Sequence, residues 1–350
     1  MAVADRGLDW DVRGRHHRLR QWLGYQLRQP GAPVTPDAAA HNLHVTLDVA
    51  LVGTGGMMPL PNRWLSSVLL RFGAHLILFD CGEGTQVSLR SLGWGLKDID
   101  LILISHVHGD HTAGLPGLLL TQGNAGRTAP LDIVGPPGLA RVLNGLLVIA
   151  PGLPFAVRCR EIADEACFVA LEGLRVRTAA GQHHVPCLAY RLEVPRGRRF
   201  LPEQAQRLGV PVHDWKRLQR GERVGEIEPD QVLGPPRPGL AVGLVTDTRP
   251  LPALARLVAG VDLLVCEGTY GDDADQPRAV ERRHMTFGEA ATLAAQAGVR
   301  TLLLTHFSPA LTDPPAHADS ARRIFPETLV GDDHFSLHLA FRPDDSPQSS

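Results

Sequence analysis

The densest chemistry in this 350-residue chain lies in Ser105-His106-Val107-His108-Gly109-Asp110-His111, an H-x-H-x-D-H pattern. Three imidazoles and a carboxylate within six positions suit a borderline divalent cation such as zinc, for which neutral imidazole and ionised carboxylate are ordinary donors. They follow directly on the apolar run 101–104, which reads as a buried strand, and a loop leaving a strand end can turn alternate side chains toward one point. Four donors do not complete two ions, so a two-metal centre needs others from elsewhere. His183 lies 72 residues beyond His111, Asp247 follows the apolar run 241–246, and His306 follows the run 301–305. A lone histidine is more often structural, and a surface histidine cluster can arise by chance. Recurrence at the ends of apolar runs, in the order H-x-H-x-D-H, H, D, H, favours one shared centre.

The elements that must position these residues are legible as hydrophobic periodicity. Val45, Leu47, Val49 and Leu51 alternate as in a strand, and Gly53, Gly55 and Gly56 end the run in a tight turn. Runs 67–72 and 75–79, separated by Gly73 and Ala74, read as a hairpin. Helical stretches at 84–92, 114–121 and 138–147 alternate with strands at 101–104 and 131–134. The second half continues with strands at 174–178, 188–194, 241–246, 263–266 and 301–305 and a helix at 287–297. This alternation predicts an α/β fold with helices on the outer faces of its sheets. No period of 20–50 residues repeats, which excludes solenoids and propellers.

Composition sets the remaining bounds. A chain of 37.9 kDa that is 44% hydrophobic is large enough for one large α/β domain or two small ones. Its formal net charge of -2 gives no global basic signal, so any nucleic-acid contact must come from a local patch. One stretch qualifies. Residues 196–223 carry eight Arg or Lys against Glu203, Asp214 and Glu222, a surplus of five, and they interrupt the strand–helix rhythm. Residues 194–239 therefore read as an inserted basic arm, with a solvated surface excursion as the alternative. Cys81, Cys159, Cys167, Cys187 and Cys266 are odd in number and never spaced C-x-x-C, as in a reduced chain whose cysteines are small buried apolar residues. There is no signal-peptide pattern and no run near the ~20 apolar residues of a membrane span, so a soluble cytoplasmic protein without membrane contact is expected. Residues 1–43, where Arg13, Arg15, Arg18, Arg20 and Arg28 interleave with Trp22, Leu23 and Leu27 ahead of Pro30, Pro33 and Pro36, read as a short basic helix and linker. Residues 343–350 read as a disordered tail.

The ligand order resembles that of the metallo-β-lactamase superfamily, and the surrounding residues resemble its ribonuclease Z (tRNA 3′ endonuclease) branch, over residues 45–341. The wording that carries the likeness is Leu51-Val52-Gly53-Thr54-Gly55-Gly56, Phe79-Asp80-Cys81-Gly82-Glu83-Gly84-Thr85-Gln86, Gly114-Leu115-Pro116-Gly117-Leu118 and Thr305-His306-Phe307-Ser308. The resemblance implies a four-layer αββα fold with two facing mixed β-sheets, in a hydrolase domain at 44–342 that contains the arm. It implies a zinc-dependent endoribonuclease that cleaves the 3′ trailer of precursor tRNA by metal-activated hydroxide attack on a phosphodiester, acting as a homodimer. It further implies two Zn²⁺ per chain, with Mn²⁺ as the alternative. His106, His108 and His183 would hold one ion, Asp110, His111 and His306 the other, and Asp247 would bridge them. His184 competes with His183; similar proteins place this ligand seven residues before a tyrosine, here Tyr190.

Carried over in the same way, Asp110 would also orient or deprotonate the attacking water, His284 would protonate the leaving 3′ oxygen, and Glu267 would orient His284. Asp80 would either support a ligand histidine or shape its own turn. The arm corresponds in position to the one that similar ribonucleases extend to the tRNA elbow, where Arg and Lys can grip phosphates without reading bases. Some words depart from the branch: Cys266-Glu267-Gly268-Thr269 stands for His-Glu-Ala-Thr, Met285 for serine, Thr246 for glycine, and no clear Gly-Pro pair marks the arm tip. The same metal site serves hydrolases of small phosphodiesters, esters, lactones or thioesters, which is the alternative enzyme reading. A non-catalytic RNA-binding relative would be expected to have lost ligands, and here the set is complete.

Overall fold

The computed structural model describes residues 46–341; the expected N-terminal helix and linker and the expected tail lie outside the described residues. Its first seven-stranded sheet is built from β1 (Thr46–Gly53), β2 (Ser67–Phe72), β3 (His75–Phe79), β4 (Ile99–Leu103), β5 (Leu131–Gly135) and β6 (Val157–Glu161). The second takes β7 (Cys167–Val169), β8 (Arg175–Ala180), β9 (Leu188–Arg196), β10 (Arg237–Val245), β11 (Leu263–Glu267), β12 (Leu302–Thr305) and β13 (Thr328–Val330). The last strand, β14 (Ser336–Ala340), returns to pair with β1. Both sheets are mixed. β3 to β6 and β10 to β13 run parallel, whereas β1, β2 and β14, and β7 to β10, pair antiparallel.

Why these strands stack in layers follows from their being apolar on both faces. Along β10, Val242 and Leu244 enter the core between the sheets while Ala241 and Val245 enter a second core under the helices. β11 and β12 divide likewise, with Val265 and Leu303 inward and Leu264, Leu302 and Leu304 outward. In the first sheet Ile77, Phe79, Leu101 and Leu103 face the other sheet, and Leu76, Leu78 and Ile102 face a third core. Three cores between alternating layers make the αββα arrangement. The helices Thr85–Leu92, Leu115–Asn124 and Leu139–Leu146 cover one outer face, and Pro252–Leu257, Phe287–Ala297 and Ala318–Ile324 cover the other.

The elements that periodicity did not mark are short or lie at edges. β6, Val-Arg-Cys-Arg-Glu, is exposed at four of five positions, and β7 and β13 have three residues each. Little burial leaves little pattern. The cysteines also divide: Cys81, Cys187 and Cys266 are buried, but Cys159 and Cys167 are exposed on the edge strands β6 and β7, against the expectation that all five are core residues. Among the described residues no helix is long and apolar enough to cross a membrane.

The arm joins the far ends of β9 and β10, and it is folded. Helices Pro202–Arg207 and Trp215–Gln219 enclose a small core of Ala205, Val210, Leu218 and Val232, sealed by Phe200, Trp215, Val224 and Ile227. Its charge is also more balanced than the run 196–223 suggested, because Glu226, Glu228 and Asp230 follow at once. They fold back: Arg223 pairs with Glu226 at 2.9 Å and Glu228 at 3.3 Å, and Arg198 pairs with Asp230. Arg217 pairs with Asp214 at 3.0 Å and Glu222 at 3.3 Å. Exposed Arg199, Arg207, Lys216 and Arg220 have no ion pair of this kind among the described residues.

Candidate metal centre

Every residue singled out for metal chemistry emerges at one end of the sandwich, beyond the carboxyl ends of the parallel strands, where open α/β sheets generally bind ligands. β4 delivers His106 and His108, and the short helix Gly109–Thr112 that follows carries Asp110 and His111. β10 delivers Asp247, β11 ends on Glu267 and β12 delivers His306, while His183 lies in the connection that leads into β9. Asp80, Asp247 and His306, each at a strand exit, have φ of 57°, 46° and 60°. This left-handed backbone is costly for residues other than glycine, and here it turns the side chain into the cluster as the chain leaves the sheet.

The geometry separates two groups around one carboxylate. His106 Nε2 lies 3.0 Å from His108 Nδ1, and His183 Nε2 lies 3.2 Å from the same atom. Asp247 Oδ2 faces this group, 3.6 Å from His106 Nε2 and 3.8 Å from His183 Nε2. His111 Nε2 and His306 Nε2 are 3.2 Å apart, with Asp110 Oδ2 at 3.6 and 3.7 Å from them. Asp247 Oδ1 faces this second group at 3.3 Å from His111 and 3.0 Å from His306. His184 is exposed and belongs to neither group.

The outer nitrogens explain why the inner ones converge. His111 Nδ1 meets Asp80 at 2.7 Å, His106 Nδ1 meets the Ser105 hydroxyl at 3.0 Å, His306 Nδ1 meets Thr269 Oγ1 at 3.1 Å, and His183 Nδ1 meets the Arg283 carbonyl at 3.3 Å. A partner on the outer nitrogen sets the tautomer and orientation that metal ligation requires. The inner imidazole nitrogens then point at one another across hydrogen-bond distance, a convergence of lone pairs that a cation resolves. The donor set fits divalent metal. Electrostatics agree: burial opposes the charge of Asp247, yet the histidines around it hold its carboxyl well below the usual range. Burial pushes His183 down to about 4, whereas for His306 burial is outweighed only by the Asp247 and Asp110 carboxylates together, which lift it to about 10.

His284 stands beside this cluster. Its Nδ1 is 3.1 Å from Glu267 Oε2 and 3.8 Å from Asp247 Oδ2, and these two carboxylates together outweigh burial and raise its pKa. Glu267 is itself fixed by the backbone N–H groups of Thr248 and Met285, at 2.7 and 3.1 Å, and by the Thr269 hydroxyl at 2.6 Å. Asp80 both shapes its turn and accepts from Ser105 N–H at 2.7 Å and Ser105 Oγ at 2.8 Å. The departures from family wording sort by direction. Cys266 and Met285 face the core under the helices, whereas the Thr246 hydroxyl donates to Asp247 Oδ1 at 2.7 Å.

Several residues at the site had no role assigned to them from the sequence, although Thr269 lies within the Cys266-Glu267-Gly268-Thr269 motif. Thr269 touches Glu267, His284 and His306 together. The Met57 N–H donates to Asp110 Oδ2 at 2.7 Å. Arg249 and Arg283 donate to the carbonyls of His284 and His183. Asp333, near the C-terminal end of the described chain, accepts from the N–H groups of Thr54 and Trp64 at 2.9 and 2.7 Å and so fixes the turn after β1. Gly56 in that turn was legible as a turn glycine, but its requirement is steric: a Cβ there would lie 2.5 Å from the His306 ring. Gly56→Ala should therefore push His306 off its position and weaken metal binding about 10–100-fold, the range seen for ligand-supporting contacts. Metal titration of the folded variant checks this; unchanged affinity would show that the His306 ring is free to move.

An open pocket of about 480 Å³ lies over the cluster, lined by His108, Asp110, His183, Asp247 and His284 together with Met57, Met58, Tyr270, Arg278 and Arg282. The family model for the anti-Pycsar protein Apyc1 matches residues 47–144. The chain is 45% identical over 299 residues to ribonuclease Z of Lachnoclostridium phytofermentans, covering 84% of this chain and 98% of that protein. It is 45% identical over 303 residues to ribonuclease Z of Agathobacter rectalis, covering 85% and 100%. Among solved structures it is similar to human tRNase Z, short form, with a TM-score of 0.62 and 25% identity over 83% of this chain and 98% of that one. The metallo-β-lactamase fold protein YhfI of Bacillus subtilis shares the fold, with a TM-score of 0.63 and 19% identity over 84% and 99% of the two chains.

Proposed function

The chain belongs to the ribonuclease Z family and is a metal-dependent hydrolase of the metallo-β-lactamase fold, and from that premise we propose that it is a zinc-dependent endoribonuclease that removes the 3′ trailer of precursor tRNA. The observation that carries the reading is the division of Asp247, one oxygen toward each of two histidine groups, with His284, held from behind by the buried Glu267, opening on the same pocket. One Zn²⁺ would be held by His106, His108 and His183, a second by Asp110, His111 and His306, with Asp247 shared; Mn²⁺ suits the same donors. When bound, such ions neutralise phosphodiester charge and lower the pKa of water so that it attacks at neutral pH.

The remaining work falls to side chains. Asp110 has one oxygen anchored by the Met57 N–H, which leaves the other to orient the attacking water and accept its proton. His284, its Nδ1 engaged by Glu267, has Nε2 left to protonate the departing 3′ oxygen. Glu267 is a positioning residue that holds this ring and favours its charged form. In this reading residues 44–342 are the hydrolase domain, 194–239 the RNA-gripping arm, 1–43 an extension and 343–350 a tail. The family resemblance also supports a homodimer, and the scattered, unpaired cysteines support a cytoplasmic location.

The test offers the metal-loaded protein a 3′-extended precursor tRNA beside a chromogenic phosphodiester. The precursor should be cut at the base of its trailer with the higher kcat/KM. Efficient turnover of the small ester beside an untouched precursor would replace this reading with a hydrolase of small phosphodiesters, esters, lactones or thioesters, for which the open pocket has room.

A further inference from the structure

Four arginines cluster beside His284, and they do different things. Arg249 is tied to the His284 carbonyl and to Glu289, and Arg283 to the His183 carbonyl, so both are spent on holding backbone. Arg278 and Arg282 are exposed and line the pocket. Among the described residues Arg278 has no ion pair, and Arg282 has only a loose contact with Glu281 at 4.0 Å. They stand four positions apart on the Gln276–Arg282 helix and so share one face, where two cations repel unless an anion joins them. Arg278 lies over the Tyr270 ring at 5.5 Å, and that ring stands edge-on to His284, with centroids 6.4 Å apart. The lip formed by Met57, Met58 and Pro309 carries no charge.

We propose that Arg278 and Arg282, with Tyr270 between them and His284, form a subsite for one phosphate of the RNA backbone: the phosphate on the 5′ side of the nucleotide whose O3′ departs. The assignment of side rests on the reading above, since His284 protonates the leaving 3′ oxygen and the nucleotide attached to that oxygen must therefore lie on the arginine side of the pocket. Guanidinium forks match phosphate oxygens in pairs, and an arginine stacked on an aromatic ring is held ready for such a contact. The subsite would read backbone charge on the tRNA side of the cut, without regard to base, and would make no demand on the trailer.

Dinucleotides test this apart from tRNA recognition. The metal-loaded protein is offered UpU and pUpU, which differ only in the phosphate 5′ to the nucleoside that leaves. Wild type should prefer pUpU by about tenfold or more in kcat/KM, the effect of one charge-assisted contact. Arg278→Ala/Arg282→Ala should bring that ratio to about one whatever its absolute rate, and Arg278→Lys/Arg282→Lys should restore part of it. Equal use of the two dinucleotides by wild type, cleavage of neither, or a preference that survives the alanine pair would overturn the proposal. A phosphate moved to the 3′ end, as in UpUp, should give no such gain; a gain sensitive to the same arginines would place the subsite on the trailer side and overturn the assignment. Failure to cut precursor tRNA alongside an arginine-dependent pUpU preference would instead count against the tRNA reading alone.

Discussion

Asp110→Ala and His284→Ala should each reduce turnover of an RNA phosphodiester by at least ~10²-fold, the lower end of what a positioned acid or base contributes, and only the first should lose metal. Asp110 lies within 3.6 to 3.7 Å of two histidine nitrogens of the second group, so its removal opens that group as well as deleting a proton acceptor. His284 instead gives its Nδ1 to Glu267, and its loss leaves both histidine groups intact. Metal content measured on the purified variants separates the two. A second measurement isolates the proton: with a nitrophenolate leaving group, which departs without protonation, the cost of His284→Ala should shrink toward nothing while that of Asp110→Ala persists. Metal loss on replacing His284, or an equal deficit on both substrates, would remove the general-acid assignment.

Deleting residues 197–235 and closing the gap with a short glycine linker should spare hydrolysis of a small phosphodiester and greatly weaken cleavage of precursor tRNA. The arm leaves the sheet at Arg196 and returns at Arg237, and β9 and β10 span nine residues each between those points and the metal end. At ~3.3 Å per residue that is roughly 30 Å of strand, too far for the arm's own core to support the ligands. The segment holds seven basic and six acidic residues, and three of its six arginines, Arg198, Arg217 and Arg223, are paired internally. Net charge is therefore the wrong measure. Four exposed cations without such pairs, Arg199, Arg207, Lys216 and Arg220, bound the number of phosphates the arm can engage. Each contact releases counterions, so the deletion should reduce the slope of log affinity against log salt by about three. Equal loss of both activities in a folded, metal-loaded deletion would mean that the arm supports the site after all, and unchanged tRNA cleavage would remove it from substrate binding.

What could be read from the sequence alone were features whose cause is local. The strands that build the cores are legible because burial on one or both faces selects apolar residues at fixed spacing, and the ligand order is legible because each donor follows such a run directly. The family resemblance rests on those same words. Edge elements such as β6 and β7 escaped because a strand with one open side is under little selection for pattern. The charge balance of the arm is legible once the count runs past Arg223 to Glu226, Glu228 and Asp230, but the pairing of Asp230 with Arg198, 32 positions away, is brought about only by the folded lobe.

Tertiary structure decided which nearby groups face one another. Local spacing does not separate His183 from His184; the turn into β9 does, by burying one ring against His108 and Asp247 and leaving the other exposed. Nor does it reveal that Thr269 and Met57, from distant parts of the chain, hold His306 and Asp110, or that Asp333 fixes the turn after β1. The left-handed turns at Asp80, Asp247 and His306 are affordable only because neighbouring strands over-determine them. The four arginines near His284 are chemically alike in the sequence, and only packing assigns two to backbone carbonyls and leaves two facing the pocket, since a guanidinium's role is set by the acceptors the fold places within its reach.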